Sequence, residues 1–279
     1  MKDLDINPNL ACVVKKWQER APHLISYYEG ENRIPKEHFV LHAALVSQCA
    51  RSIAEKRISL LMRPIARLEP KASEKEAIDA ITLAAILHDV GKLTDVYAKG
   101  SPGFRHELVS AATAYKLLSS AFNMPRRVLG VCTLSILLHH PPLIFKHVKS
   151  LGISEITGDF CRYHFGRHGV VKFLDQAGEA ILDLLKAWNI RPKDWDFPQN
   201  LDRKCCFFIE KLILMLNDHL EKENKPKWRL DGVKVLFRGA VGAFLSILIP
   251  SDYRAAIQVR GEKKSVFWKL VEKEVERGW

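Results

Sequence analysis

A helical hydrophobic period runs along most of the chain and constrains the fold more than any other feature. Apolar residues recur at three- and four-residue intervals in seven segments: 36–62, 74–91, 106–121, 126–140, 170–188, 202–222 and 262–277. No run of alternating apolar and polar residues clearly predicts a strand, although β-branched residues leave 233–249 ambiguous. The period therefore predicts an all-α fold.

Prolines and a capping sequence mark the ends of these segments. Pro64 and Pro70 are predicted to bound a loop before the next helix. Ser73, followed three residues later by Glu76, has the spacing of a capping box at the start of that helix. Pro141 is predicted to stop the fourth helical segment.

The length of 279 residues fits one large domain or two small ones. We expect a helical domain at 1–223 with a C-terminal helical extension at 224–279 packed on it; a single domain over 1–279 is the alternative. The longest apolar runs, near 128–138 and 240–249, are short for a bilayer span. No association with a membrane is therefore predicted.

The cysteines and the first residues bear on the compartment. None of the six cysteines belongs to a Cys-x-x-Cys motif, so neither a zinc knuckle nor a thioredoxin-like redox motif is indicated. The sequence begins Met-Lys-Asp-Leu-Asp-Ile-Asn-Pro, without the apolar core of a signal peptide. A cytoplasmic location is predicted.

The strongest chemical signal lies in residues 81–92, Ile-Thr-Leu-Ala-Ala-Ile-Leu-His-Asp-Val-Gly-Lys. An apolar helix ends there in adjacent His88 and Asp89, at the rim of a core. A charge at such a place is costly unless a metal ion or another partner neutralises it. Lys92 lies four residues after His88 and so shares its helical face, where it could contact a phosphate oxygen.

Other imidazoles and acids also fall at predicted helix ends. In order along the chain, the candidate metal ligands are His42, His88, Asp89, His106, His139, His140 and Asp218. Neutral imidazole suits transition metals, and a carboxylate can bridge two cations. Two cations roughly 3.5–4 Å apart could activate water and stabilise the leaving oxygen in phosphodiester hydrolysis.

Each candidate has an ordinary structural explanation when taken alone. His42 could be a hydrogen-bonded core histidine, and Asp218 could be a surface or capping acid. His139 and His140 could simply close a helix, since cationic side chains suit a C-terminus. His106 could lie in a charged, solvated turn. Packing alone does not readily explain all of them in order around one apolar-His-Asp helix.

The charge balance favours a polyanionic partner. Lysine and arginine number 43 against 32 acidic residues, a net charge of +11. Such an excess suits nucleic acid or an anionic surface. Between His140 and Asp218, basic residues such as Lys146 and Arg162 mix with aromatic ones such as Phe145, a composition that suits a single strand. A solvated basic face over core aromatics is the alternative.

The motifs resemble those of the HD metal-dependent phosphohydrolase superfamily, and within it the HD nuclease of type I CRISPR interference. The segments that carry the resemblance are Leu-His-Ala-Ala-Leu at 41–45, Leu-His-Asp-Val-Gly-Lys at 87–92, Phe-Arg-His-Glu-Leu-Val-Ser-Ala at 104–111, Leu-His-His-Pro-Pro at 138–142 and Leu-Asn-Asp-His-Leu at 216–220. His-Asp-x-Gly-Lys occurs in many HD enzymes, whereas Arg-His-Glu-x-x-Ser-Ala and the His-His pair indicate the CRISPR branch. The resemblance implies an HD-domain helical bundle with a buried metal site.

The resemblance also implies a set of ligands for each of two cations. The first would be held by His42, His88, Asp89 and Asp218, and the second by Asp89, His106, His139 and His140. Lys92 would act with His88 and Asp89 as the catalytic group, contacting the scissile phosphate. Asn217 precedes Asp218 where many relatives have a small residue, which leaves Asp202 and Asp231 as alternative ligands.

The implied function is hydrolysis of single-stranded DNA, or of RNA, with one or two divalent ions such as Mn, Ni, Co or Mg. The sequence contains no Gly-x-x-x-x-Gly-Lys-Ser/Thr loop, so we expect a separate CRISPR helicase subunit and an RNA-guided surveillance complex as partners. One alternative is an HD nucleotide phosphohydrolase or cyclic-nucleotide phosphodiesterase acting on a small molecule. Another is a non-catalytic scaffold.

Overall fold

The computed structural model of the protein describes residues 6–101, 104–122, 124–140, 169–202 and 232–261. Its helices are α1 (Pro8–Arg20), α2 (Phe39–Lys56), α3 (Ile58–Leu68), α4 (Glu74–Leu87), α5 (Asp95–Ala98), α6 (His106–Ser120), α7 (Arg126–Leu138), α8 (Ala177–Ala187) and α9 (Gly232–Arg260). A single 3-10 turn, Val90–Lys92, follows α4. The predicted all-α bundle is confirmed.

In the described part of the chain, two small antiparallel pairs of strands accompany the helices, where the sequence had predicted no clear strand. β1 (Ile25–Glu29) pairs with β2 (Ile34–His38), and β3 (Val171–Lys172) pairs with β4 (Asn200–Leu201). The first pair matters for the site because β2 runs directly into α2. Short hairpins of this kind depend on packing against helices, so hydrophobic alternation alone does not reveal them.

The core is built around α2, which packs against α4 on one side and α9 on another. Helix α7 completes the bundle through contacts with α4, α6 and α9. Trp17, Phe39 and Phe244 are among the largest fully buried side chains, and they come from α1, α2 and α9. The bundle therefore buries residues from both ends of the described chain in one core.

Two local predictions meet different outcomes. The capping box is confirmed: the Ser73 hydroxyl accepts from the Glu76 amide, and the Glu76 carboxylate accepts from the Ser73 amide. The loop predicted between Pro64 and Pro70 is wrong at its start, because Pro64 lies inside α3. Burial of Leu61, Ile65 and Leu68 along one face of α3 outweighs the backbone hydrogen bond that a proline removes.

Helix α9 resolves the ambiguity of 233–249 as a helix that continues through Pro250. Between Val235 and Arg260 it is long and apolar enough to cross a membrane, as the core helices of globular proteins can also be. In this structure it packs against α2, α3 and α7. The predicted domain boundary at 223 lies outside the described residues and stays a prediction.

Candidate metal centre

Two histidines occupy the C-caps of helices, and this position fixes how their rings point. His88 follows α4 and His139 follows α7. The last carbonyl groups of a helix lack intrahelical donors. The ring Nδ1 of His88 lies 2.8 Å from the Ala85 carbonyl oxygen, and that of His139 lies 2.5 Å from the Ile136 carbonyl oxygen. A carbonyl only accepts, so each Nδ1–H donates and each Nε2 is left to face the interior.

His42 lies in the first turn of α2, where no C-terminal carbonyl is available. Its Nδ1 instead donates to the carboxylate of Glu37 on β2, at 2.9 Å. Burial alone would raise the pKa of Glu37, but His42 and Arg260 beside it lower that pKa below its usual value. Glu37 is thus an ionised acceptor, and the Nε2 of His42 also faces inward.

Asp89 lies at the centre of these rings and is fully buried. One carboxylate oxygen lies 3.4 Å from His42 Nε2 and 3.5 Å from His88 Nε2. The other lies 3.1 Å from His106 Nε2 and 3.5 Å from His139 Nε2. A carboxylate placed between two pairs of imidazoles can bridge two cations.

Lys92 reaches the same carboxylate from the 3-10 turn that follows α4. Its ammonium donates to Asp89 Oδ2 at 2.6 Å. The predicted proximity of Lys92 to the His-Asp pair is therefore present in the structure, although the lysine contacts Asp89 rather than His88.

His106 and His140 form the outer edge of the cluster. His106 is the first residue of α6, and His140 follows His139 beyond the end of α7. The His140 ring centroid lies 4.1 Å from that of His139 and 5.4 Å from that of His106. His140 is only partly buried, so this edge is the more open one.

Helix α9 contributes an acid to the cluster that was not predicted from the sequence. The carboxylate of Asp252 lies 3.1 Å from His42 Nε2 and 3.7 Å from His88 Nε2. One signal could have indicated it: Asp252 shares a helical face with buried Leu248 and Ala255, an unusual place for a lone carboxylate.

The predicted acidic ligand has no described position. Asp218 and its alternative Asp231 lie outside the described residues. The other alternative, Asp202, is exposed at the end of β4 and joins none of the metal-ligating groups found in the described ranges. Asp252 is therefore a second described carboxylate beside His42 and His88, in addition to Asp89, and the assignment of Asp218 stays a prediction.

The neighbours of the two buried acids favour their charged forms. Burial alone would raise the pKa of Asp89, but Lys92 and the surrounding imidazoles hold it well below its usual value. The adjacent imidazoles likewise hold the pKa of Asp252 well below its usual value despite burial. Burial and the adjacent His139 lower the pKa of His140 to about 3, so that its ring is neutral. Nearby acids raise the pKa of His42 and of His139 despite burial, so these rings would release a proton on binding a metal, which takes ionised carboxylates and neutral imidazoles.

The buried atoms of the cluster that lack hydrogen-bond partners are suited to binding a metal ion. Among the described residues, five buried atoms here lack a well-aligned hydrogen bond: His42 Nε2, His88 Nε2, His106 Nε2, His139 Nε2 and Asp89 Oδ1. Leaving so many buried polar atoms unsatisfied is costly without a further partner. Their mutual distances allow three overlapping groups of ligands: Asp89 with His106, His139 and His140; His42 with His88 and Asp89; and His88 with His139 and Asp252. Divalent cations would satisfy them.

Comparison with known proteins agrees with this geometry. The family described as Cas3, HD domain, matches residues 28–197, which is more than half of the chain. The chain belongs to the Cas3 HD-domain family. Membership makes it a hydrolase with a divalent-metal-dependent nuclease domain of the CRISPR-associated class, which acts on nucleic acid.

Two individual relatives share about a quarter of their aligned residues with this chain, at 28% identity each. The chain is 28% identical over 222 residues to a CRISPR-associated endonuclease Cas3-HD of Pyrococcus furiosus, covering 75% of this chain and 84% of the relative. It is 28% identical over 109 residues to a protein of the same description from Methanocaldococcus jannaschii, covering 37% of this chain and 44% of the relative.

A solved Cas3 HD-domain structure shares the fold. The CRISPR-associated Cas3 HD domain protein of Methanocaldococcus jannaschii superposes with a TM-score of 0.52 at 18% identity. The match covers 76% of this chain and 95% of that protein. At this identity the likeness shows the HD-domain fold alone.

Proposed function

We propose that the protein cleaves single-stranded DNA, or RNA, at a centre of two divalent cations during CRISPR interference. The observation that carries the proposal is the buried carboxylate of Asp89, flanked on each side by imidazole nitrogens that lack partners of their own. Cations bound there would supply Lewis-acid activation of the phosphate and of an attacking water.

The proposed ligands form two sets, one for each cation, and Asp89 belongs to both. His42, His88, Asp89 and Asp252 would hold the first cation. The second cation would share Asp89 and bind the three remaining imidazoles, His106, His139 and His140. Mn, Ni, Co and Mg are the candidate ions.

Exposure indicates where the substrate enters. The side chains of His42, His88 and His139 are 0% exposed. Those of His106 and Lys92 are 15% and 10% exposed. Among the described residues, a phosphodiester can therefore reach the centre at the edge that His106 and Lys92 form, where the Lys92 ammonium is placed to stabilise developing negative charge.

Aromatic and basic side chains beside this edge support a single-stranded polymer as substrate. The Tyr97 ring lies 6.2 Å from His106 and 6.0 Å from Tyr28, measured between centroids. The Arg33 guanidinium lies 4.2 Å from the centroid of the half-buried Tyr28 ring. Base stacking on such rings, with cations for the phosphates, suits a single strand.

The decisive experiment is a cleavage assay with one divalent metal at a time on single-stranded DNA, duplex DNA, RNA and cyclic or linear nucleotides. We expect cleavage of single strands that chelator abolishes and that the double variant His88→Ala, Asp89→Ala lacks. Asp183→Asn is the matched control, because it changes a carboxylate that pairs with Lys16 and does not belong to the metal centre. Undiminished cleavage by the double variant contradicts the proposal, and turnover of nucleotides alone supports the small-molecule alternative.

A second variant separates polymer binding from chemistry. We expect Tyr28→Ala to raise KM for single-stranded DNA while hydrolysis of bis(4-nitrophenyl) phosphate, which has no strand to stack, stays unchanged. A net charge of +11 also predicts that DNA binding weakens steeply with salt. Equal losses on both substrates would argue against a stacking role for Tyr28.

The proposed partners are a separate helicase subunit, which exposes the strand, and an RNA-guided surveillance complex, which selects it. The proposed location is the cytoplasm, with no association with a membrane. Support comes from membership of a CRISPR-associated family. The test is a pull-down of the purified helicase subunit with this protein, together with stimulation of cleavage on duplex targets when helicase, ATP and surveillance complex are all present.

A further inference from the structure

The buried imidazoles of the centre are oriented in two different ways. His88 and His139 each donate from Nδ1 to a carbonyl of their own helix. His42 lies near the start of α2 and donates instead to the Glu37 carboxylate, at 2.9 Å. An ionised acceptor gives a shorter, stronger hydrogen bond and makes the opposite ring nitrogen a better electron donor.

Glu37 is itself held by a residue from the far end of the described chain. Its other oxygen, Oε2, accepts from Arg260 Nε at 2.9 Å and from Arg260 Nη2 at 2.7 Å. The guanidinium also stacks over Tyr27, 4.1 Å from the ring centroid. The Glu37 side chain is 0% exposed, so its charge lies away from bulk solvent and is stabilised by His42 and Arg260.

We infer that Glu37, held by Arg260, is a positioning residue that orients His42 toward the first cation. The inference rests on the metal centre of the proposed function and adds a residue pair outside its ligand set. Glu37 fixes the ring of His42 with Nδ1 protonated and Nε2 free, which is the state a metal ligand requires. Arg260 leaves only Oε1 available to His42, and thus sets the direction of the contact.

The arrangement brings a residue of the last described helix to Glu37 and His42 near the start of α2, where the first cation would bind. Arg260 lies about two helical turns after Asp252 on α9, and Glu37 is the next-to-last residue of β2, just before α2. The same helix therefore supplies a ligand directly, through Asp252, and orients a second ligand indirectly, through Glu37.

Substitution of Glu37 by glutamine is a sharp test because an amide cannot satisfy both neighbours. If its oxygen faces His42, its NH2 group faces the Arg260 donors. If it is flipped, its NH2 group faces Nδ1 of His42 and favours the tautomer whose Nε2 carries the proton. The first orientation leaves His42 a neutral acceptor that Arg260 no longer holds, and the second reverses the tautomer of the ring, although the volume of the side chain hardly changes.

The experiment measures Mn²⁺ binding to the full chain by isothermal titration calorimetry, with thermal melting of each metal-free variant as a check on folding. His42→Ala and His106→Ala identify the binding steps of the first and second cations. We expect Glu37→Gln to weaken the first step by about 10- to 100-fold and to leave the second unchanged. Arg260→Met should weaken the same step by a smaller factor.

Asp183→Asn is the matched control, because Asp183 also accepts from a ring nitrogen, Trp17 Nε1, and from a cation, Lys16. It should leave both binding steps unchanged. Wild-type affinities in a folded Glu37→Gln protein overturn the inference, as does an equal loss in both steps, which would indicate a general structural role. A wild-type protein without Mn²⁺ binding would instead overturn the proposed metal centre itself.

Discussion

The backbone of Gly91 lies against the carbonyl group of His106, so closely that a β-carbon on Gly91 would overlap the His106 oxygen. The Gly91 amide also donates to the Ser110 hydroxyl at 2.8 Å, which fixes the 3-10 turn on α6. This close approach brings His106 Nε2 to 3.1 Å from Asp89. The glycine of the His-Asp-Val-Gly-Lys motif thus sets how near the second half of the centre comes to the first.

Gly91→Ala should separate the 3-10 turn from α6. We expect a loss of unfolding free energy of about 1–3 kcal/mol from the overlap, and weaker binding of the second cation because His106 moves away from Asp89. Chemical denaturation and Mn²⁺ titration measure the two effects. Gly242→Ala is the control: a β-carbon there meets no atom within 4 Å, and we expect stabilisation of up to about 1 kcal/mol. A Gly91→Ala protein with wild-type stability would contradict this account.

Asp252→Asn should weaken binding of the first cation more than binding of the second. The amide keeps the shape of the side chain but removes the negative charge beside His42 and His88. We expect at least about tenfold weaker Mn²⁺ binding, as a lost charged ligand implies, with a matching loss of cleavage. Asp202→Asn, on an exposed acid, is the control. Asp218→Asn in the same assay tests the acid that the sequence indicated; a loss confined to that variant would remove Asp252 from the ligand set.

Lys92→Met should reduce turnover more than metal binding. The substitution keeps a long apolar stem and removes the ammonium that donates to Asp89. We expect kcat on single-stranded DNA to fall by about 10²–10³-fold, the range for loss of one preorganised electrostatic contact. Single-turnover cleavage at saturating metal measures it. A change in metal affinity with unchanged kcat would show that Lys92 only supports Asp89.

Ser73→Ala should destabilise α4 by about 1 kcal/mol, because the hydroxyl satisfies an amide that otherwise lacks a partner. Chemical denaturation of the metal-free protein measures this loss. Thr94→Ala, at the N-cap of the single-turn helix α5, is a comparison in which a shorter helix is affected. No measurable loss for Ser73→Ala would contradict the capping role.

The stability supplied by Glu76 should depend on pH. The Ser73 amide and hydroxyl lower the pKa of Glu76 below its usual value. A group with a lowered folded pKa stabilises the protein above its unfolded pKa, about 4.3 for glutamate. The difference in unfolding free energy between the wild type and Glu76→Gln should therefore be constant near neutral pH and should shrink as the pH falls below that value. A difference that is independent of pH would contradict this coupling.

Local sequence rules succeeded where the deciding interaction is local. The capping box needs only Ser73 and Glu76, three residues apart, and is present as predicted. The same rules failed at Pro64, where the buried face of α3 outweighs the cost of the proline. They also missed the hairpin of β1 and β2, whose side chains show little alternation.

The helical class, the pairing of His88 with Asp89 and the nearness of Lys92 follow from the amino-acid order alone, because they depend on helical periodicity and on residues about a turn apart. Long-range packing, by contrast, brings Asp252 into the cluster and places Arg260 where it holds Glu37 against His42. Those contacts join residues more than 150 positions apart along the chain. They form because burying the apolar faces of α2 and α9 against each other brings their polar residues together, and no local pattern encodes that pairing.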